Sequence, residues 1–90
     1  MSASIELLDT LKASFGGLSD YAAARKIGVT QQSISQIRNG ATKFSTEKAL
    51  FICELADLNA GEWLLRLYKE RAKCDAEKET LDRLINRMVA

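Results

Sequence analysis

Proline and histidine are absent from this 90-residue chain, and cysteine occurs only at Cys53 and Cys74. Each shortage excludes something. Without proline, helix boundaries must be set by caps, glycine and periodicity. Without histidine, the commonest acid–base and metal-binding side chain is missing. Two isolated cysteines cannot supply the four ligands of a structural zinc site, so neither a metal nor a cofactor is expected. They read as reduced thiols of a cytoplasmic protein, Cys53 buried on a helix and Cys74 at a surface or interface. There is no run of eighteen apolar residues, hence no membrane-spanning helix. The start, MSASIELLDTLK, has no basic opening or long apolar stretch, so no secretory signal is expected. Nucleophile elbows and phosphate loops are also missing, and no catalytic residue can be nominated. An enzyme is not expected.

What remains is helix-forming. Hydrophobic residues make up 47% of the chain, enough for one domain with a modest core. No useful strand-like alternation interrupts the helical spacing. Ile5, Leu8, Leu11 and Phe15 step by three or four, predicting a first helix over 5–15, capped by Ser4 and ended by Gly16-Gly17. Ser19 caps a second helix, with Asp20 suited to its first turn and Tyr21, Ala24 and Ile27 facing inward. Gly28 ends it and Val29 plugs the turn. Thr30 caps a third helix, 31–38, which stops at Asn39-Gly40. Ser45 caps a fourth, with Ala49, Ile52, Cys53 and Ala56 on one face and Phe51 and Leu55 beside it. Asn59 caps a fifth, with Trp63, Leu64, Leu67 and Tyr68 on its apolar side. Leu81, Leu84, Ile85 and Met88 mark a further amphipathic helix over 76–89. One continuous helix from 60 onward would need Arg71 and Lys78 in its apolar seam, so a break near Asp75 is expected.

The stretch Leu18–Gly40 organises the rest. Ala24 is small where the third helix crosses the second, Gly28 sits four residues on, and Val29, Ile34 and Ile37 are apolar anchors. The opposite face is polar: Gln31, Gln32 and Ser33 at the helix start, Gln36 a turn later. A glutamine amide donates and accepts at once, matching adenine N6 and N7 in the major groove. Residues 18–43 hold Arg25, Lys26, Arg38 and Lys43 against Asp20 alone. Arg38 and Lys43 are therefore expected to meet phosphates, as is the helix start at Ser19. Asn39 either bonds a phosphate or caps its own helix. The candidate DNA contacts are Ser19, Thr30, Gln31, Gln32, Ser33, Ser35, Gln36, Arg38, Asn39 and Lys43.

This stretch closely resembles the helix–turn–helix of lambdoid phage repressor and Cro proteins. The run Thr30-Gln31-Gln32-Ser33-Ile34, then Gln36, then Asn39-Gly40, carries the likeness. It continues more weakly through Leu55-Ala56-Asp57-Leu58 and Glu62-Trp63-Leu64-Leu65. The resemblance implies an all-α, lambda-repressor-like five-helix domain over 1–72, with an extra C-terminal helix in 73–90. It also implies that the positions of Gln31 and Gln32 contact base edges and that Gln36 reads or supports them. Two departures stand out. Asp20 replaces a common glutamine beside a phosphate, so the docking tilts or Asp20 points away. The loop after Gly40 has only Lys43, which implies a shallow salt dependence.

The expected function is sequence-specific transcriptional regulation, as a phage or mobile-element repressor binding duplex DNA as a homodimer. Trp63, Leu67, Leu81, Leu84, Ile85 and Met88 are the expected dimer contacts, with the last helix folding back or pairing with a second subunit. Two alternatives keep the fold: an antitoxin or excision and replication control protein, its tail gripping a protein partner, or an adaptor without DNA affinity.

Overall fold

The computed structural model describes residues 2–72 and 74–89. Among these residues there are six helices and no strand: α1 (Ala3–Ser14), α2 (Asp20–Ile27), α3 (Gln31–Arg38), α4 (Thr46–Ala56), α5 (Ala60–Arg71) and α6 (Asp75–Val89). The fold is all-α, as the spacing predicts, and is the lambda-repressor-like one that the resemblance implies.

Caps set most boundaries. Ser2, Ser19, Thr30, Ser45 and Asn59 each accept a backbone N–H from the first turn of α1 to α5 respectively, satisfying one of the donors a helix start leaves open. Gly28 closes α2 at φ +84°, a conformation that costs glycine little. α4 ends on Asp57 at φ 55°, with Leu58 N–H donating back to the Cys53 carbonyl at 2.8 Å.

Three sequence expectations are corrected. The first helix starts at Ala3, and its cap is Ser2. Ser4 is fully buried instead, where its Oγ accepts the Phe44 N–H at 3.1 Å. A tertiary bond overrides the local capping preference. Phe15 is not core: Gly16 and Gly17 turn the chain at positive φ, and Phe15 lies exposed beneath Lys26, whose Nζ is 4.4 Å from the ring centroid. Tyr21 also points outward, under Arg25. The small pair Ala23 and Ala24 takes the inward position and lets neighbouring helices close in.

The core is built from Leu7, Leu8 and Leu11 of α1, Ile27 of α2, Ile34 and Ile37 of α3, Ile52 of α4, and Trp63 and Leu67 of α5, with Phe44 from the α3–α4 loop. Full burial of each large aliphatic side chain stabilises by about 1.5–3 kcal/mol. α5 ends at Arg71, and Ala72 is extended, so the chain breaks before Asp75 as expected. α6 then runs antiparallel to α5. Asp82 pairs with Lys69 near one end, and Met88 lies over Gly61 at the other, where a Cβ would come within 2.7 Å of its Cε. Only the flexible end of Met88 would have to move to admit that Cβ, and no α6 backbone lies near it. Among the described helices α6 packs chiefly on α5. It buries Ile85 and half-buries Leu81, while Leu84 and Met88 remain exposed. No described helix is long and apolar enough to cross a membrane.

Candidate nucleic-acid interface

α3 presents two unlike faces. Ile34 and Ile37 are 1% and 4% exposed and anchor the helix to the core. Gln31, Gln32, Ser35 and Gln36 are exposed on the other side. The helix start is locked: Thr30 Oγ1 accepts the Ser33 N–H at 3.0 Å and donates to Ser33 Oγ at 3.0 Å. Those two hydroxyls are thus engaged with each other. At the far end the Asn39 N–H donates to the Ser35 carbonyl, so the Asn39 backbone caps α3 while its side chain stays exposed. The Ala41 and Thr42 N–H groups close on the Gln36 carbonyl. The result is a helix whose backbone is held at both ends and whose exposed amides can donate and accept.

The expected phosphate contact Arg38 is placed differently. Its guanidinium donates from Nε to Asp20 Oδ2 at 3.1 Å and from Nη2 to Asp20 Oδ1 at 2.9 Å. The same Nη2 donates to Asp9 Oδ1 at 2.7 Å. Lys12 Nζ completes the group, 2.7 Å from Asp20 Oδ1. Hydrogen bonds from Arg38, then from Lys12, hold the Asp20 carboxyl down at about 2, and the same two acids hold the Arg38 guanidinium above its ordinary value. Two cations and two carboxylates neutralise one another here, tying α1, α2 and α3 together. Asp20, the acid that stands out in the sequence, is thus charge-balanced within the chain by Arg38 and Lys12.

The α3–α4 loop is fixed as firmly. The Phe44 ring is buried, its N–H goes to Ser4, and its carbonyl accepts from Arg71 Nη2 at 2.8 Å. Next to it, Lys43 Nζ is 3.8 Å from Glu70 Oε1. Lys48 Nζ donates to the Ile27 carbonyl at 3.3 Å, which explains a lysine where a capping box would carry an acid. Ser33, Gln36, Thr42, Lys43, Ser45 and Lys48 line one shallow depression together with the apolar Val29, Ile37 and Phe44, so α3 and the loop share one surface. Ser19 is exposed at the start of α2, with its Oγ accepting the Ala22 N–H.

Sequence reasoning missed Asp9, Ser4, Phe44 and Arg71. Ser4 had a signal, a hydroxyl in register with the apolar stripe of Leu7, Leu8 and Leu11. Asp9 and Arg71 had none, since their partners are remote in sequence. Of the residues expected at a dimer contact, Trp63, Leu67 and Ile85 lie inside the chain, Leu81 is half-buried, and only Leu84 and Met88 are exposed.

A recognition-type helix held by a tight glycine turn, with an amide face outward, defines a helix–turn–helix DNA-binding module. The sequence model of the Helix-turn-helix family matches residues 16–63, just over half of the chain. The chain belongs to this family of lambda-repressor-type regulators and is a DNA-binding transcriptional regulator. Comparison with curated proteins and with solved structures returned no match.

Proposed function

We infer that the protein is a sequence-specific repressor of phage or mobile-element origin, binding as a homodimer with α3 in the major groove. Residues 1–72 form the DNA-binding domain, and the segment 73–90, which carries α6, is a C-terminal extension. The observation that carries this reading is the outward row of Gln31, Gln32 and Gln36 on a helix anchored by Ile34 and Ile37. A merely structural hairpin gains nothing from three exposed glutamines on one face. Base reading rests on these amides, flanked by Ser35 and by Thr30 and Ser33 at the helix start. Phosphate contacts come from Ser19 with the N-terminus of α2, from the Asn39 side chain, and from Lys43. Arg38 contributes by holding α3 at its angle.

One eight-residue helix makes few base contacts, and pairing doubles them. The test is selection of bound duplexes from a random pool, followed by sequencing. The expected result is a two-fold-symmetric site with half-sites about one helical turn apart. Absence of any sequence preference at low salt refutes the repressor reading.

A further inference from the structure

Glu70, on α5, is a carboxylate with a single counter-charge among the described residues. Its side chain is 15% exposed, and its Oε2 is buried without a hydrogen-bond partner. The one cation paired with it is Lys43, whose Nζ lies 3.8 Å from Oε1. The other charged residues lining the depression beside Glu70 are Glu6, Arg66, Lys69 and Lys78. Arg66 is bonded to Glu62 and Lys69 to Asp82. Glu6 has the same sign as Glu70, and Lys78 makes no ion pair with it. Lys43 therefore supplies the local compensation for this enclosed charge.

Only the side chain of Lys43 is free to choose another partner. The Thr42 N–H closes on the Gln36 carbonyl, the Phe44 N–H donates to Ser4 Oγ, and Arg71 Nη2 donates to the Phe44 carbonyl. The backbone on both sides of Lys43 is thus held, and α5 grips the loop through the consecutive residues Glu70 and Arg71. The Lys43 side chain is 38% exposed, on the surface it shares with Ser33 and Gln36 of α3. A lysine ammonium rides on a flexible stem and can turn outward. If Nζ leaves for a phosphate, the Glu70 carboxylate loses its counter-charge where little water reaches it, which is costly. If Nζ stays and draws a phosphate to itself, phosphate and carboxylate repel each other at close range. Both routes oppose the contact.

We propose that Glu70 competes with the DNA backbone for Lys43 and sets how strongly the loop after α3 binds phosphate. The proposal rests on the reading of Lys43 as a phosphate contact. With Glu70 in place, this loop adds little attraction to duplexes in general. Phosphate contacts carry no sequence information, so Glu70 lowers affinity for every duplex alike and leaves the preferred site unchanged.

The test is fluorescence anisotropy of the full chain with two labelled duplexes, one of arbitrary sequence and one recovered from the duplex selection, from about 50 to 200 mM salt. Glu70→Gln keeps the shape of the side chain and removes its charge. It should tighten binding to both duplexes by about two- to fivefold at the lowest salt, with a smaller gain as salt rises and unchanged helical circular dichroism. Glu70→Ala, which also removes the oxygen that could still hold Lys43, should act in the same direction. In a Lys43→Ala background, Glu70→Gln should gain no more than Glu77→Gln, which removes an exposed acid from α6. Three results overturn the proposal and leave DNA binding standing: no gain from either Glu70 variant, a full gain that persists with Lys43→Ala, or an equal gain from Glu77→Gln in the otherwise wild-type chain. Loss of helical circular dichroism in both Glu70 variants assigns the residue to the fold and overturns it as well. A wild-type chain that binds neither duplex at low salt refutes the DNA reading beneath it.

Discussion

Replacing Arg38 with glutamine separates two roles that sequence alone cannot tell apart. If the guanidinium is a structural tie, Arg38→Gln releases Asp9 and leaves Asp20 with Lys12 only. The Arg38 side chain is 28% exposed, against 36% for Asp20 and 47% for Asp9. Exposed pairs contribute about 0.2–1 kcal/mol, and hydrogen bonds to charged groups about 1.5–3 kcal/mol. These partly exposed contacts fall at the low end, so a loss of about 1 kcal/mol is expected. Asp20 gives an independent check. Its carboxyl falls from 3.8 to about 2, which unscreened would stabilise by about 2.5 kcal/mol. Solvent screening at this exposure reduces that to about 1 kcal/mol, shared between Arg38 and Lys12. Because the folded value is the lower one, the stabilisation is complete above pH 3.8 and is lost as pH falls toward 2. Urea unfolding should therefore show a gap between wild type and Arg38→Gln that is constant near neutral pH and narrows below pH 3.8. The variant's binding to duplex DNA should keep the wild-type salt slope. Each lost phosphate contact lowers that slope by about 0.9. Unchanged stability together with a slope lowered by about that amount would show that Arg38 meets a phosphate and would refute the tie.

Four further outcomes are expected. Ser4→Ala leaves the Phe44 N–H buried without its acceptor and should cost about 1–3 kcal/mol in urea unfolding. Gln31→Ala and Gln32→Ala should each cost about 1–3 kcal/mol in specific binding, read by titration against a selected site, with melting temperature unchanged. Gly28→Ala meets no atom within 4 Å but holds a side chain at φ +84°, so thermal unfolding should show a loss of about 1–3 kcal/mol from backbone strain alone. Gly61→Ala drives a Cβ toward the flexible end of Met88. Rotation of that side chain should relieve the clash, and the better helix propensity of alanine should leave stability equal or up to about 1 kcal/mol higher.

How legible each part was depends on the range of the physics involved. Helices α2 to α5 were readable because their determinants are local: Ser19, Thr30, Ser45 and Asn59 cap them, Gly28 ends one, and the apolar spacing phases the rest. Ser4 misled for the opposite reason. Its best partner, the Phe44 N–H, is forty residues away, and a local rule cannot weigh that bond against a cap. Charge was the hardest to read. Counting gave a basic excess in residues 18–43, but Arg38 and Asp20 cancel each other, Lys12 joins from α1, and Lys43 lies near Glu70. The cations left near α2, Arg25 and Lys26, lie over aromatic rings. Those two keep their charge at the surface, so the free excess lies on α2, and α3 itself presents none. That strengthens the conclusion drawn from composition in one respect. With Arg38 paired to Asp20 and Lys43 near Glu70, the proposed reading by α3 rests on its amides more than on charge carried by α3 or the loop after it.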